Sequence, residues 1–169
     1  LRTLRVTERR SAGRPWKDKG TRFPLESGNF RISTLAEHLQ LIQGLNQSRS
    51  YEAGVYVEIK GAAEHRAEGL DLSQAILDVL TEYGYDSAED RVYLQCFDPA
   101  EVRRLRNELK TPLRIIQLLI SRADPAQLKS YAEVADGIGV PLHHVVSGKN
   151  DDGTPQLTDL IKNAHANGL

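Results

Sequence analysis

Glu58 and Lys60 are the residues of this chain whose type and spacing most invite chemistry. They close an otherwise apolar, β-rich run, Val55-Tyr56-Val57-Glu58-Ile59-Lys60, bounded by Gly54 and Gly61. Residues two apart on a strand point to the same face, so a carboxylate and an ammonium emerge together at the strand's C-terminal end. A carboxylate there suits a hard divalent cation, and an ammonium beside it suits a phosphate oxygen. A solvated strand-end ion pair has the same spacing, and the spacing alone leaves both readings open.

Gln95 and Phe97 repeat the geometry one strand later, in Arg91-Val92-Tyr93-Leu94-Gln95-Cys96-Phe97. Gln95 offers a donor and an acceptor to a ligand hydroxyl. Phe97 offers an apolar wall, although such a residue is more often core. Cys96 falls on the opposite face and reads as a small buried hydrophobe rather than a nucleophile. Asp136 precedes Gly137-Ile138-Gly139 and reads as a turn residue more than a site residue. His143 and His144, adjacent beyond that segment, read as solvated loop residues. His38, His65 and His165 have no partners at ligand spacing.

The elements that must position these residues alternate. Thr34 and Glu37 have capping-box spacing and open a helix ending near Asn46, with Leu35, Leu39, Leu41, Ile42 and Leu45 as its apolar stripe. After the Glu58 strand come a helix over about 72–83, with Gly84 placed as its left-handed cap, and the Gln95 strand. Asp98 and Pro99 have the types wanted at the N-cap and first position of the next helix. A strand over 114–120, a short helix from Pro125, a strand over 136–140 and a helix over about 156–167 complete the chain. Such alternation predicts an α/β fold with a parallel sheet and helical crossovers. An open doubly wound sheet and a (β/α)₈ barrel both fit. No Gly-rich phosphate loop follows a strand, which lowers the dinucleotide-binding version.

Composition bounds the rest. The 169 residues are 40% hydrophobic and 27% charged with net charge -1, ordinary values for a globular domain. Basic residues are not clustered as a nucleic-acid footprint requires. The Arg-rich start reads as a solvated loop. A single cysteine excludes an internal disulfide, and no apolar run reaches the roughly 18 residues that suggest a membrane-spanning helix. Residues 1–32, punctuated by Gly and Pro, read as a loop or insertion.

Tyr56-Val57-Glu58-Ile59-Lys60 followed by Tyr93-Leu94-Gln95-Cys96-Phe97-Asp98 resembles the glycerophosphodiester phosphodiesterase family in its periplasmic, longer-loop form. Other blocks agree in order: Val6-Thr7-Glu8-Arg9, Arg22-Phe23-Pro24, Asn29-Phe30-Arg31-Ile32, Gln43-Gly44-Leu45-Asn46 and Ala135-Asp136-Gly137-Ile138-Gly139. The resemblance implies a (β/α)₈ TIM barrel, of which residues 1–169 would be a fragment covering about strands 4–7, truncated at both ends. It implies hydrolysis of small-molecule glycerophosphodiesters to an alcohol and sn-glycerol 3-phosphate, using a divalent cation, Ca²⁺ or Mg²⁺, and histidine general acid/base chemistry. Glu58 would be a metal ligand and Lys60 would contact the phosphate. Gln95 and Phe97 match positions lining the substrate site. The family's His-Arg-Gly block, Glu-x-Asp pair and second histidine are not in this sequence, so the isolated chain is expected to be inactive. A periplasmic or secreted location is implied by the resemblance alone. The alternative is a non-catalytic binding protein on the same scaffold.

Overall fold

The computed structural model describes residues 3–4, 10–11, 14–15 and 30–169. The chain divides into two compact units, residues 1–44 and 45–169. In the first, the strands β1 (Arg10–Ser11) and β2 (Arg14–Pro15) pair antiparallel. Of the loop predicted over 1–32, residues 1–2, 5–9, 12–13 and 16–29 lie outside the described residues, and with them the family-like blocks Val6–Arg9 and Arg22–Pro24.

Helix α1 (Leu35–Arg49) begins with the capping box its sequence predicts. The Glu37 amide donates to Thr34 Oγ1 at 3.2 Å, and the Thr34 amide donates to Glu37 Oε2 at 2.7 Å. Its apolar stripe is narrower than expected. Leu39 is fully buried, but Leu41 and Leu45 are exposed. A helix turns about 100° per residue, so positions two and six beyond Leu39 face away from it, while Leu35 and Ile42 stay on its side.

The second unit is built on a parallel sheet of β3 (Val55–Ile59), β4 (Val92–Cys96), β5 (Arg114–Leu118) and β6 (Gly137–Gly139). Each strand pairs with the next in chain order. Helices α2 (Ala62–Ala67) and α3 (Leu72–Glu82) link β3 to β4. Helix α4 (Pro99–Asn107) links β4 to β5, and α5 (Pro125–Ala132) links β5 to β6. Their starts are locally encoded. Asp71, Asp98 and Asp124 cap α3, α4 and α5 by accepting backbone N–H bonds, and Pro occupies the first turn of α4 and α5. Gly84 follows α3 with φ 80°, as its sequence position predicts.

Burial alternates along β4 and β5. Val55, Ile59, Val92, Leu94, Cys96, Leu113 and Ile115 are buried on one face, where helix side chains such as Leu80, Val102, Leu105 and Leu128 complete the core. The other face carries Tyr56, Glu58, Tyr93, Gln95, Arg114 and Ile116 and is partly open among the described residues. Parallel strands covered by helices on both sides are apolar on both faces; this face is instead polar and aromatic. Tyr93 stands edge-on to Tyr56 at 6.0 Å between ring centroids and accepts a 2.9 Å bond from Arg114.

That face is curled. A Cβ on Gly139 of β6 would lie 3.7 Å from the Tyr56 hydroxyl of β3. Three interstrand spacings of about 4.8 Å separate those strands in a flat sheet, farther than a tyrosine reaches.

The layer on the helix side is tied by a buried charge cluster. Glu101 of α4 is wholly buried. It accepts from Ser73 Oγ at 2.6 Å, from Arg104 at 3.1 Å and from Arg66. Arg104 also grips Asp71. One glutamate thereby joins α2, α3 and α4.

Past β6 the structure departs from the sequence reading. A short helix, α6 (Leu142–Val145), is followed by an antiparallel hairpin of β7 (Val146–Lys149) and β8 (Pro155–Leu157), and then by α7 (Leu160–Ala166). Residues predicted as the start of the last helix are therefore a strand.

Gly54 enters β3 under the β4 backbone: an added Cβ would lie 2.4 Å from the Arg91 carbonyl oxygen. Backbone cannot yield as a side chain does, so Gly54→Ala is expected to destabilise the fold by about 1–3 kcal/mol, read as a lowered thermal midpoint. A midpoint equal to that of the unmodified protein would contradict this packing.

Candidate functional site

Glu58 and Lys60 lie where β3 ends, and the chain then turns through Gly61 in a left-handed conformation, φ 62°, into α2. Lys60 Nζ and Glu58 Oε1 are 2.7 Å apart; the Lys60 side chain is 76% exposed and that of Glu58 25%. An ion pair with one partner that exposed contributes about 0–1 kcal/mol, so fold stability gives little reason for charge at this strand end. With Gly61, Glu64, Phe97 and Asp98 the pair lines an open cleft of about 340 Å³.

The four sequence candidates share the open sheet face. Gln95 is the in-register partner of Glu58 on β4. Phe97 stands one pleat further on, 45% exposed, and walls the cleft. Gln95 does not line that cleft; it lies one layer deeper, beside Glu58. Sequence reasoning missed Glu64 and Asp98 as cleft residues. Asp98 was legible only as a helix cap, a role it does fill, accepting from the Ala100 amide at 2.9 Å.

The weaker candidates fall elsewhere. Asp136 immediately precedes β6, at the opposite end of the sheet from Lys60. It accepts from the Ile115 amide at 2.7 Å and from Arg106 at 2.6 Å, which makes it a structural tie. His143 and His144 form part of α6 rather than a loop, with ring centroids 4.4 Å apart. His144 is buried, and its imidazole is held below its ordinary pKa by desolvation and then by His143 and Arg122.

Cys96 is buried on the helix face, where its Sγ lies 3.3 Å from the Ile59 carbonyl. Burial pushes its thiol pKa up, with nearby carboxylates adding to the shift. It is therefore expected to resist iodoacetamide in the native protein near neutral pH and to react once urea unfolds the chain. Rapid native labelling would contradict that placement.

Among the described residues no group of three or more His, Cys, Asp and Glu side chains comes together to hold a metal ion. Glu58 can supply one hard oxygen donor, but the described donors do not form a metal site by themselves. Among the described residues no helix is long and apolar enough to cross a membrane.

These features define an α/β domain whose strand ends carry a charged cleft beside an aromatic wall. Over residues 1–169 the sequence matches the model of the glycerophosphoryl diester phosphodiesterase family, and the chain belongs to that family. It is similar to the glycerophosphodiester phosphodiesterase of Haemophilus influenzae, 41% identical over 102 residues, 58% of this chain and 28% of that protein. It is also similar to the glycerophosphodiester phosphodiesterase of Treponema pallidum, 33% identical over 169 aligned residues, covering 84% of this chain and 48% of that protein. The chain thus spans half or less of the length of these two curated relatives. Enzymes of the family commonly use a divalent metal.

Proposed function

We propose that the protein built on this chain hydrolyses glycerophosphodiesters to an alcohol and sn-glycerol 3-phosphate. The observation that carries the reading is the pairing of Glu58 with Lys60 at a strand's C-terminal end, in a cleft walled by Phe97, in a chain of this family. Lys60 is exposed enough to exchange its contact with Glu58 for a phosphate oxygen. Glu58 would supply one ligand to a Ca²⁺ or Mg²⁺ ion, both of which favour carboxylate oxygen. That cation would neutralise phosphate charge; among the described residues no group of three or more His, Cys, Asp and Glu side chains completes its site. Phe97 and Gln95 would line the substrate site, Phe97 at the cleft and Gln95 beneath it.

The scaffold in this reading is a (β/α)₈ barrel, the described strands being about the fourth to the seventh. Three observations support it. The strands pair in strict chain order without the reversal of a doubly wound sheet. Helix side chains cover one face only among the described residues, and the other face curls until Tyr56 approaches Gly139. Active sites of such barrels form at the C-terminal strand ends, where Glu58 and Lys60 stand. A closed barrel typically takes about 250 residues, more than the chain holds. The location that fits is periplasmic or secreted, supported by the resemblance to the longer-loop form.

The test is a pair of assays. The complete gene product is expected to turn over glycerophosphodiesters, and the purified 169-residue chain is expected not to. Turnover by the short chain would show that it carries a complete acid, base and metal set, against this account.

A further inference from the structure

The Glu58–Lys60 cleft has two walls on separate stretches of chain. The end of β3 and the start of α2 supply Glu58, Lys60, Gly61 and Glu64; the end of β4 and the cap of α4 supply Phe97 and Asp98. Whatever fixes α2 against α4 therefore fixes the distance between the walls.

Local structure does not fix α2. The helix has 6 residues and no side-chain cap, and it follows Lys60 through Gly61, the residue type with the most permissive backbone. So short a helix cannot hold itself in water and depends on its tertiary contacts. Its one buried residue is Ala62. Among the described residues, the one side-chain hydrogen bond from α2 to another element runs from Arg66 to Glu101.

Glu101 is a firm anchor for that bond. It is wholly buried in the first turn of α4, three residues past Asp98. Its Oε1 accepts from Ser73 and Arg104, and its Oε2 accepts from Arg66. Ser73 and the Arg104–Asp71 pair already join α3 to α4, so that joint does not need Arg66. What Arg66 adds is α2. Its own side chain does not line the cleft, and the bond runs outside it, from the helix that leaves one wall to the helix that leaves the other.

We propose that Arg66 is a positioning residue for the diesterase reaction. Its bond to Glu101 sets where Lys60 stands relative to Phe97, and hence where a phosphate held by Lys60 lies in the cleft. The inference rests on the diesterase reading above. Arg66 touches no substrate; it acts through α2 and Gly61 on Lys60.

The experiment measures kcat and KM for glycerophosphoglycerol in the complete protein, well below the thermal midpoint of every variant. Arg66→Met keeps the stem and removes the guanidinium. It is expected to lower kcat/KM about tenfold or more, mainly by raising KM, because a small misplacement of a binding group is costly even when its cause is remote. Arg66→Lys keeps a charge near the buried carboxylate but replaces the rigid fork with one flexible contact, and is expected to raise KM about threefold. It also serves should Arg66→Met fail to fold. Ser73→Ala is the control: it removes another bond to the same carboxylate and leaves the α2–α4 bond in place. It is expected to lower the midpoint and leave kcat/KM unchanged. A merely structural Arg66 would lower the midpoint with KM unmoved in both Arg66 variants, which would overturn the proposal. So would a loss of kcat/KM in Ser73→Ala equal to that in the Arg66 variants. No turnover of the ester by the unmodified enzyme would instead defeat the diesterase reading itself.

Discussion

Glu58→Gln and Lys60→Met in the complete protein are each expected to lower kcat/KM for a glycerophosphodiester by about a hundredfold or more. Glu58→Gln keeps the shape of the side chain and removes the charge that would hold a divalent cation. Lys60→Met keeps the stem and removes the ammonium that would meet the phosphate. Stability should barely move, since the pair is largely exposed on the Lys60 side and is worth about 0–1 kcal/mol. Activity and thermal midpoint are therefore measured on the same preparations. A large loss of turnover at an unchanged midpoint marks a functional pair. A lowered midpoint with activity retained would return Glu58 and Lys60 to a strand-end ion pair.

Glu101→Ala is expected to act mainly on stability, since Glu101 meets the cleft only through Arg66. The substitution leaves the Ser73 hydroxyl buried without its acceptor and deprives Arg66 and Arg104 of a carboxylate. Breaking a buried charged network by removing one partner costs about 3–5 kcal/mol. The lower end applies here, because Arg104 keeps Asp71 and Arg66 is a third exposed. A destabilisation of about 3 kcal/mol lowers the midpoint by roughly 6–12 °C in a domain of this size. The pH dependence follows from the same network. Burial pushes the Glu101 pKa up, but the bonds from Ser73, Arg66 and Arg104 outweigh it and hold the group below its ordinary value. A depressed carboxylate contributes stability above its unfolded pKa of about 4.3, and loses it as pH falls through that value and the folded one. Asp71, lowered chiefly by the Arg104 bond, adds in the same direction. Acid melting of the unmodified protein should therefore steepen below about pH 4, and Glu101→Gln should flatten that limb. Identical acid profiles would show that the cluster is not what ties α2, α3 and α4.

What was legible in the sequence was what local signals encode. The three longer strands of the parallel sheet came from short apolar runs. The starts of α3, α4 and α5 carry aspartate caps or first-turn prolines that any reader of the chain can find. Glu58, Lys60 and Phe97 were visible because charge or a large ring at a strand end breaks an apolar pattern. Three features were hidden. Helix α2 has only 6 residues and no side-chain cap, its entry resting on Gly61 in a left-handed turn. The β7–β8 hairpin was masked because Leu157, Leu160 and Ile161 have the spacing of one helix face, although Leu157 belongs to β8. That cue outweighed the Asp152-Gly153 turn signal before it.

The buried polar groups were hidden for a different reason. Glu101 in a helix's first turn looks like a surface residue favoured by the helix dipole, yet Ser73 and Arg66 bond to it from 28 and 35 residues away. Gln117 looks like an ordinary interruption of a strand, yet it is buried beside β4, where its amide nitrogen reaches the Cys96 and Phe97 carbonyls and its oxygen has no partner among the described residues. Asp136, read from the sequence as a turn residue more than a site residue, spends its carboxylate on Arg106 and the Ile115 amide, a tie that its type and position do not announce.

The most direct test of the account follows the phosphorus of a glycerophosphodiester by NMR while the complete purified protein acts on it with Ca²⁺ or Mg²⁺ present. The account predicts conversion of the diester resonance to that of sn-glycerol 3-phosphate, lost in both Glu58→Gln and Lys60→Met. Persistence of the diester with folded protein, or conversion at an unchanged rate in both variants, would contradict it.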